Sequence, residues 1–247
     1  MTTSIILPVH IINQELLELT VNTLNSIGQT ENREGVELII IDNASPVGGD
    51  ILQSVATTYI RNKENVGYPH SINQGEAISY GDLLAITNND IRVSSNWLTV
   101  AKDILFENDD VASVHFRMIN YEDDIKIGNR DWITGRERWC TSSFFVIRRK
   151  AFVGYDERYG LGGYDDWNFW HRVREKRWKT AYTTRACYQH KHSSTQLALS
   201  QGERKERDGR NRELFKQEFG KYAEDIWNEK YPDQMSQNYY EFFKELS

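Results

Sequence analysis

The stretch Leu83-Leu84-Ala85-Ile86-Thr87-Asn88-Asn89-Asp90-Ile91, LLAITNNDI, runs from four apolar residues straight into two amides and a carboxylate. An apolar run without alternation is how a strand reads when both faces of its sheet are covered. Its polar end, taken alone, reads as a turn, because Asn and Asp supply turn conformations. Two earlier strands end the same way. Ser4 to Val9 closes on Pro8, Val9 and His10, and Val36 to Ile41 closes on Asp42-Asn43-Ala44-Ser45-Pro46. Helical spacing separates these runs, with Leu16, Leu17, Leu19, Val21, Leu24 and Ile27 between the first two. Strand-helix alternation with buried strands predicts an α/β domain with a mainly parallel sheet. Ligands of such sheets bind off the carboxyl ends of the strands. The three polar ends therefore fall on one edge, where together they make a candidate site.

The remaining elements follow the same logic. Helices are predicted at Asp50 to Ala56, Pro69 to Tyr80 (inner face Ile72, Ala77 and Ile78), Trp97 to Phe106 and Trp167 to Lys176. Strands are predicted at Thr58 to Arg61, Val111 to Met118, Ser142 to Ile147 and Thr180 to Tyr188. Tyr121 to Arg138 reads as a polar loop, and Arg148-Arg149-Lys150 as a solvated strand end. From Gln201 the chain is a charged helix with Leu214, Phe215, Phe219, Tyr222 and Ile226 as its packing stripe. The expected organisation is one domain over 1–200, divided into a 1–110 half and a 111–200 half, followed by a helical extension over 201–247.

Net charge of −6 argues against a general nucleic-acid footprint. Cys140 and Cys187 form neither a CxxC metal motif nor a disulfide framework, and both read as reduced core thiols. The opening SIILPV is too short for a secretory h-region, and no segment approaches the ~20 apolar residues of a membrane span. The expectation is a soluble, cytoplasmic protein without a transmembrane segment.

Five ordered stretches carry a resemblance: SIILPVH, VELIIIDNASP, RNKENVGYPHSINQG, LLAITNNDI and FFVIRRKAFVGYDERYGLGGYDDWNFWHRV. From Ile5 to about Thr195 the chain resembles the inverting glycosyltransferases of family 2, with the GT-A fold. The resemblance implies a Rossmann-like sheet whose first half binds a nucleoside diphosphate sugar, UDP being the first guess, and whose second half builds the acceptor side. It implies that Asp42 accepts a hydrogen bond from the nucleotide base, with Pro8, Val9, His10, Asn43 and Ser45 beside it. An ionised aspartate is acceptor-only and suits an imide N–H. Asn65, Gly67 and Asn73 match the family's paired N-x-G elements near a helix start, where unpaired N–H groups face phosphate or ribose. Asn88-Asn89-Asp90 stands where relatives carry D-x-D or D-D-D, so Asp90 would bind Mn²⁺ or Mg²⁺, Asn88 keeps the shape of Asp without its charge, and Asn88 and Asn89 would meet the donor nucleotide. His190 or His192 would join the metal or the diphosphate.

Gly160-Leu161-Gly162-Gly163-Tyr164-Asp165-Asp166 matches the family's acidic pair after a glycine-rich loop. Inversion needs a base to take the acceptor proton, and partial burial beside a like charge raises a carboxylate's pKa for that role. Asp166 is assigned as the base, with Asp165 as the alternative; helix capping by either is the structural reading of the same residues. Of the aromatic cluster Trp132, Trp139, Tyr155, Tyr159, Tyr164, Trp167 and Trp170, the first choices to face a glycan or other hydroxyl acceptor are Trp139 and Trp167. Two other functions stay open, a catalytically inactive relative that binds sugar or protein, and a sugar nucleotidyltransferase.

Overall fold

Strands β1 (Thr3–Val9), β2 (Val36–Asp42), β3 (Thr58–Arg61) and β4 (Leu83–Thr87) lie parallel in the order β3-β2-β1-β4 in a computed structural model. The structure describes residues 1–30, 33–134, 143–191, 200–221 and 223; Trp139, Cys140, His192, Tyr222 and Ile226 lie outside them. Helices α1 (Gln14–Gly28), α2 (Gly49–Val55) and α3 (Tyr68–Ile78) make the crossovers. The chain first winds outward from β1 to β3, then returns through α3 to place β4 on the other side of β1. This reversal opens a crevice at the carboxyl ends of β1 and β4, the position ligands take in such sheets.

The second half continues the sheet as β4-β8-β6-β9, with β6 (Val111–Asn120), β8 (Phe144–Arg148) and β9 (Lys179–His190). The outer edge of β9 pairs with β5 (Ile91–Val93) near its end and with β7 (Asp131–Thr134) near its start. The sheet is therefore mixed. The parallel pairing expected from the sequence holds from β3 to β4 and between β6 and β9, whereas β8, β5 and β7 run antiparallel to their neighbours. Both β5 and β7 are short strands on one edge, and β7 lies inside the stretch read as loop, where polar residues hide a period of two.

Alternate residues of each central strand enter separate cores. Ile5, Leu7, Leu83, Ala85, Phe144 and Val146 face α1 and α4 (Trp97–Glu107), while Ile6, Leu84, Ile86, Phe145 and Ile147 face α3 and α5 (Asp165–Glu175). This double coverage is why the strands read as unbroken apolar runs. The inner face of α3 is Ser71, Ile72 and Gly75; Ala77 and Ile78 are exposed. Gly75 faces Ile6, and a Cβ there would sit 2.5 Å from the isoleucine side chain. The helix packs on its smallest residues, which a search for apolar spacing passes over.

The basic end of β8 is not a solvated strand end. Buried Arg148 donates from Nε to the Val111 carbonyl (2.8 Å) and from Nη2 to the carbonyls of Leu105 and Asn108, where α4 stops. Arg149 donates to the Gly81 carbonyl (2.7 Å), Glu76 Oε1 (2.8 Å) and Ser79 Oγ (2.6 Å), where α3 stops. Arg148 is the last residue of β8 and Arg149 the first of the short 3₁₀ turn that follows, and each arginine closes one helix. Among the described residues no helix is long and apolar enough to cross a membrane.

Candidate active site

The carboxyl ends of β1 and β2 are stitched together by the residues expected to meet a nucleotide. The Asn43 N–H donates to the Val9 carbonyl (2.8 Å), and His10 Nδ1 donates to the Asn43 carbonyl (2.7 Å). Because a carbonyl only accepts, the His10 proton sits on Nδ1 in this contact. Pro8 lies within β1, opposite Ile41. Ser45 Oγ accepts from the Ile11 N–H (2.8 Å). Between them Ala44 holds φ at 57°, a left-handed conformation unusual for a residue with a Cβ. Strain of this kind concentrates at functional turns.

Asp42 is fully buried, with Oδ1 accepting from the Ser45 N–H (2.8 Å) and Oδ2 from the Tyr59 hydroxyl (2.6 Å) and the Arg61 guanidinium. Arg61 donates its other arm to the Ser45 carbonyl (2.8 Å). The Asn43 amide donates to Ser71 Oγ (2.8 Å) and accepts from Asn62 (2.9 Å), which exchanges two hydrogen bonds with Gln74. Tyr59, Arg61, Asn62 and Gln74 are the partners that sequence reasoning left out of the site. Asn and Gln in a short strand end and a helix carry no periodic signal; only their convergence singles them out.

Asn65 and Asn73 serve the backbone. Asn65 Oδ1 accepts from the Gly67 N–H (3.0 Å). Gly67 has φ at 87°, and a Cβ on it would lie 2.0 Å from the Gly160 carbonyl oxygen, so only glycine permits this approach. Asn73 donates to the Tyr155 carbonyl (2.9 Å) and to Glu157 Oε1 (2.9 Å) and accepts from the Tyr155 N–H (2.8 Å). The two N-x-G elements thus hold the loop that leads to the acidic pair.

The three residues after β4 have separate partners. Buried Asn89 donates to Thr20 Oγ1 on α1 (2.9 Å), and the Asn88 N–H donates to the Ser143 carbonyl (2.8 Å). Asp90 meets β9 instead, its Oδ1 3.1 Å from His190 Nε2, both side chains under a tenth exposed. The pairing of β5 with β9 sets Ile91 opposite His190 and so brings the two together. Two donors on adjacent corners of an octahedron with bonds of about 2.1 Å stand about 3 Å apart. An oxygen and a nitrogen 3.1 Å apart therefore fit a divalent ion that takes its other ligands from phosphate and water. No cluster of three or more His, Cys, Asp or Glu with that capacity exists among the described residues, and His192 lies outside them.

Asp165 and Asp166 open α5 as its first two residues, while the N-cap position belongs to Tyr164 (φ 65°), whose side chain makes no capping bond. The two acids are thus not the cap. Asp165 is buried, and burial first, then the Asp166 charge, push it up to about 7. Hydrogen bonds from its own N–H and that of Gly163, and the charge of Arg207, act the other way. Asp166 is half-buried, accepts from the Trp167 N–H (2.8 Å), and is also raised, by desolvation. Trp167 is exposed at 38%, whereas Tyr155, Tyr159 and Trp170 are core residues; Tyr155 stacks on Phe169 at 4.4 Å between ring centres. Asn168 is buried and accepts from Arg172 (2.8 Å), a structural pairing.

Residues 4–164 match the model of the family described as Glycosyl transferase family 2. No curated protein sequence matches. Among solved structures, the chain is similar to GalNAc-T7, crystallised with UDP, GalNAc and Mn²⁺ (TM-score 0.63, 13% identity, covering 76% of this chain and 43% of that one). It is also similar to S. aureus TarS 1-349 (TM-score 0.59, 13% identity, 76% and 59%) and to the same protein in complex with UDP (TM-score 0.60, 12% identity, 76% and 59%). The chain spans less than two thirds of each of these structures.

Proposed function

Because the chain belongs to glycosyl transferase family 2, we propose that it moves a sugar from a nucleoside diphosphate sugar, with uridine as the base, to an acceptor hydroxyl, with inversion and with Asp166 as general base. The observation that carries this reading is the docking of the acidic loop onto the nucleotide half, where Gly160 rests on Gly67 with room for no side chain. That contact brings an acidic pair of raised pKa to the edge where β1, β2 and β4 end.

In this mechanism the acceptor oxygen attacks the anomeric carbon as the bond to the diphosphate oxygen breaks. The acceptor proton passes to Asp166, the more exposed of the two carboxylates, and the electron pair of the broken bond leaves on the diphosphate. Desolvation raises the basicity of Asp166 for this step. Asp165, turned into the glycine loop, accepts from the Gly163 N–H and so orients that loop. Trp167 offers a ring face to an acceptor sugar. Asp42, Asn43, Ser45 and His10 border the base and ribose. Asp90 and His190 would hold Mn²⁺ or Mg²⁺, whose contribution when bound is to neutralise the diphosphate. The UDP and Mn²⁺ of the GalNAc-T7 crystal and the UDP of the TarS crystal support this choice of donor.

Calorimetric titration of UDP, GDP and TDP, each in Mn²⁺ and in EDTA, tests the donor half. Metal-dependent binding of UDP is expected; binding of none of the three would overturn the reading.

A further inference from the structure

The glycine loop ahead of the acidic pair is held from two sides. On one side lies α3, through Gly67 and Asn73. On the other lies α6 (Gln201–Phe219), which begins at a Ser200–Glu203 capping box. The residues matched by the family end at Tyr164, so α6 stands outside them.

Asn211 on α6 is fully buried, and its amide nitrogen donates to three carbonyls of the loop: Tyr159 (3.0 Å), Gly162 (2.9 Å) and Gly163 (2.8 Å). Two N–H groups thus serve three acceptors in a backbone whose glycines, Gly160, Gly162 and Gly163, all have positive φ. Such a loop has no ladder to satisfy its carbonyls: the Tyr159 carbonyl also accepts from the Gly162 N–H (3.2 Å), whereas the Gly162 and Gly163 carbonyls rely on Asn211. Around this contact the helix and loop touch closely. A Cβ on Gly163 would lie 2.9 Å from Asp208 Oδ1 and 3.4 Å from Arg207 Nε, and Glu218 accepts from Arg158 (2.7 Å) and Asn168 (3.2 Å). Gly163, whose carbonyl Asn211 holds, also gives its N–H to the Asp165 carboxylate.

We infer that Asn211 is a positioning residue for the acidic pair: it fixes the Gly160–Gly163 backbone and thereby the carboxylates that follow. This rests on the reading of Asp166 as general base. Helix α6 is then part of the catalytic unit, although it lies outside the family-matched segment.

The test compares wild type with Asn211→Ala and Asn211→Leu, the second keeping the volume without a charge should the first fail to fold. Three quantities are read: amide hydrogen exchange across 160–166, UDP affinity in Mn²⁺, and kcat and donor KM with whichever UDP-sugar wild type turns over. The expected result is loop exchange faster by about tenfold or more. UDP affinity and donor KM stay within about twofold, and kcat falls by about 10²-fold. Unchanged loop exchange, kcat within about threefold of wild type, or UDP affinity falling in step with kcat would each overturn the inference. If wild type turns over no nucleoside diphosphate sugar, the proposed reaction fails; loop exchange alone then decides whether Asn211 holds the loop.

Discussion

Replacing Asp165 with asparagine should make the protein more stable at pH 8 and change its stability little at pH 4. Burial and the Asp166 charge move this carboxyl from 3.8 to about 7 on folding. Below 3.8 both states hold the proton and the shift contributes nothing. Between 3.8 and about 7 the native state binds the proton and the unfolded state does not, so stability falls as pH rises. Above 7 the penalty is complete, about 4 kcal/mol for three units at about 1.4 kcal/mol each. Asparagine is neutral throughout and removes that penalty. Its amide oxygen accepts from the Gly163 N–H and the residue's own N–H as the protonated acid does, and the stronger acceptance by the carboxylate is already contained in the net shift. The gain at pH 8 is therefore about 4 kcal/mol, or about 8–16 °C in Tm for a chain of this size. At pH 4 the native acid is protonated and the two proteins differ little. Thermal and urea melts of both proteins at pH 4, 6 and 8 read the difference directly. A difference that stays constant with pH, or a variant less stable at pH 8, would refute the argument that the acidic pair is held at a cost to the fold.

Asp166→Asn should fold normally and lose transfer by about 10²–10⁴-fold or more, the range of general-base catalysis; near wild-type turnover would remove it as the base. Asp90→Ala should weaken UDP binding in Mn²⁺ on the order of 10–100-fold and change it little in EDTA. An equal loss in both would mean that the carboxylate does not act through a metal. Gly67→Ala must adopt a φ of 87° and displace the Gly160 carbonyl, and should cost about 3 kcal/mol or more in urea unfolding; a loss below about 1 kcal/mol would mean the two loops part easily.

The unbroken apolar runs at Ser4–Val9, Val36–Ile41 and Leu83–Thr87 determined the α/β reading by themselves, because a strand covered on both faces leaves no alternation. The same runs placed their polar ends on one edge, since parallel strands share a direction. The order of motifs, from DNAS through NVG and NND to GGYDD, was also legible, being local in sequence. Direction and partnership were not. The antiparallel turn of β8, the edge strands β5 and β7 and the resulting mixed sheet depend on pairings across long separations. The sequence read Arg148 and Arg149 as solvent-facing, and only the ends of α4 and α3 arriving beside them made them caps. It gave Asn65 and Asn73 as ligand contacts and left unseen that their amides tie down backbone. Asp90 meets His190 only through the β5–β9 ladder, and Asn211 reaches the glycine loop only because α6 folds back across it. A strand's burial is written in its own residues, but a polar side chain takes its role from whichever group the rest of the chain brings within 3 Å.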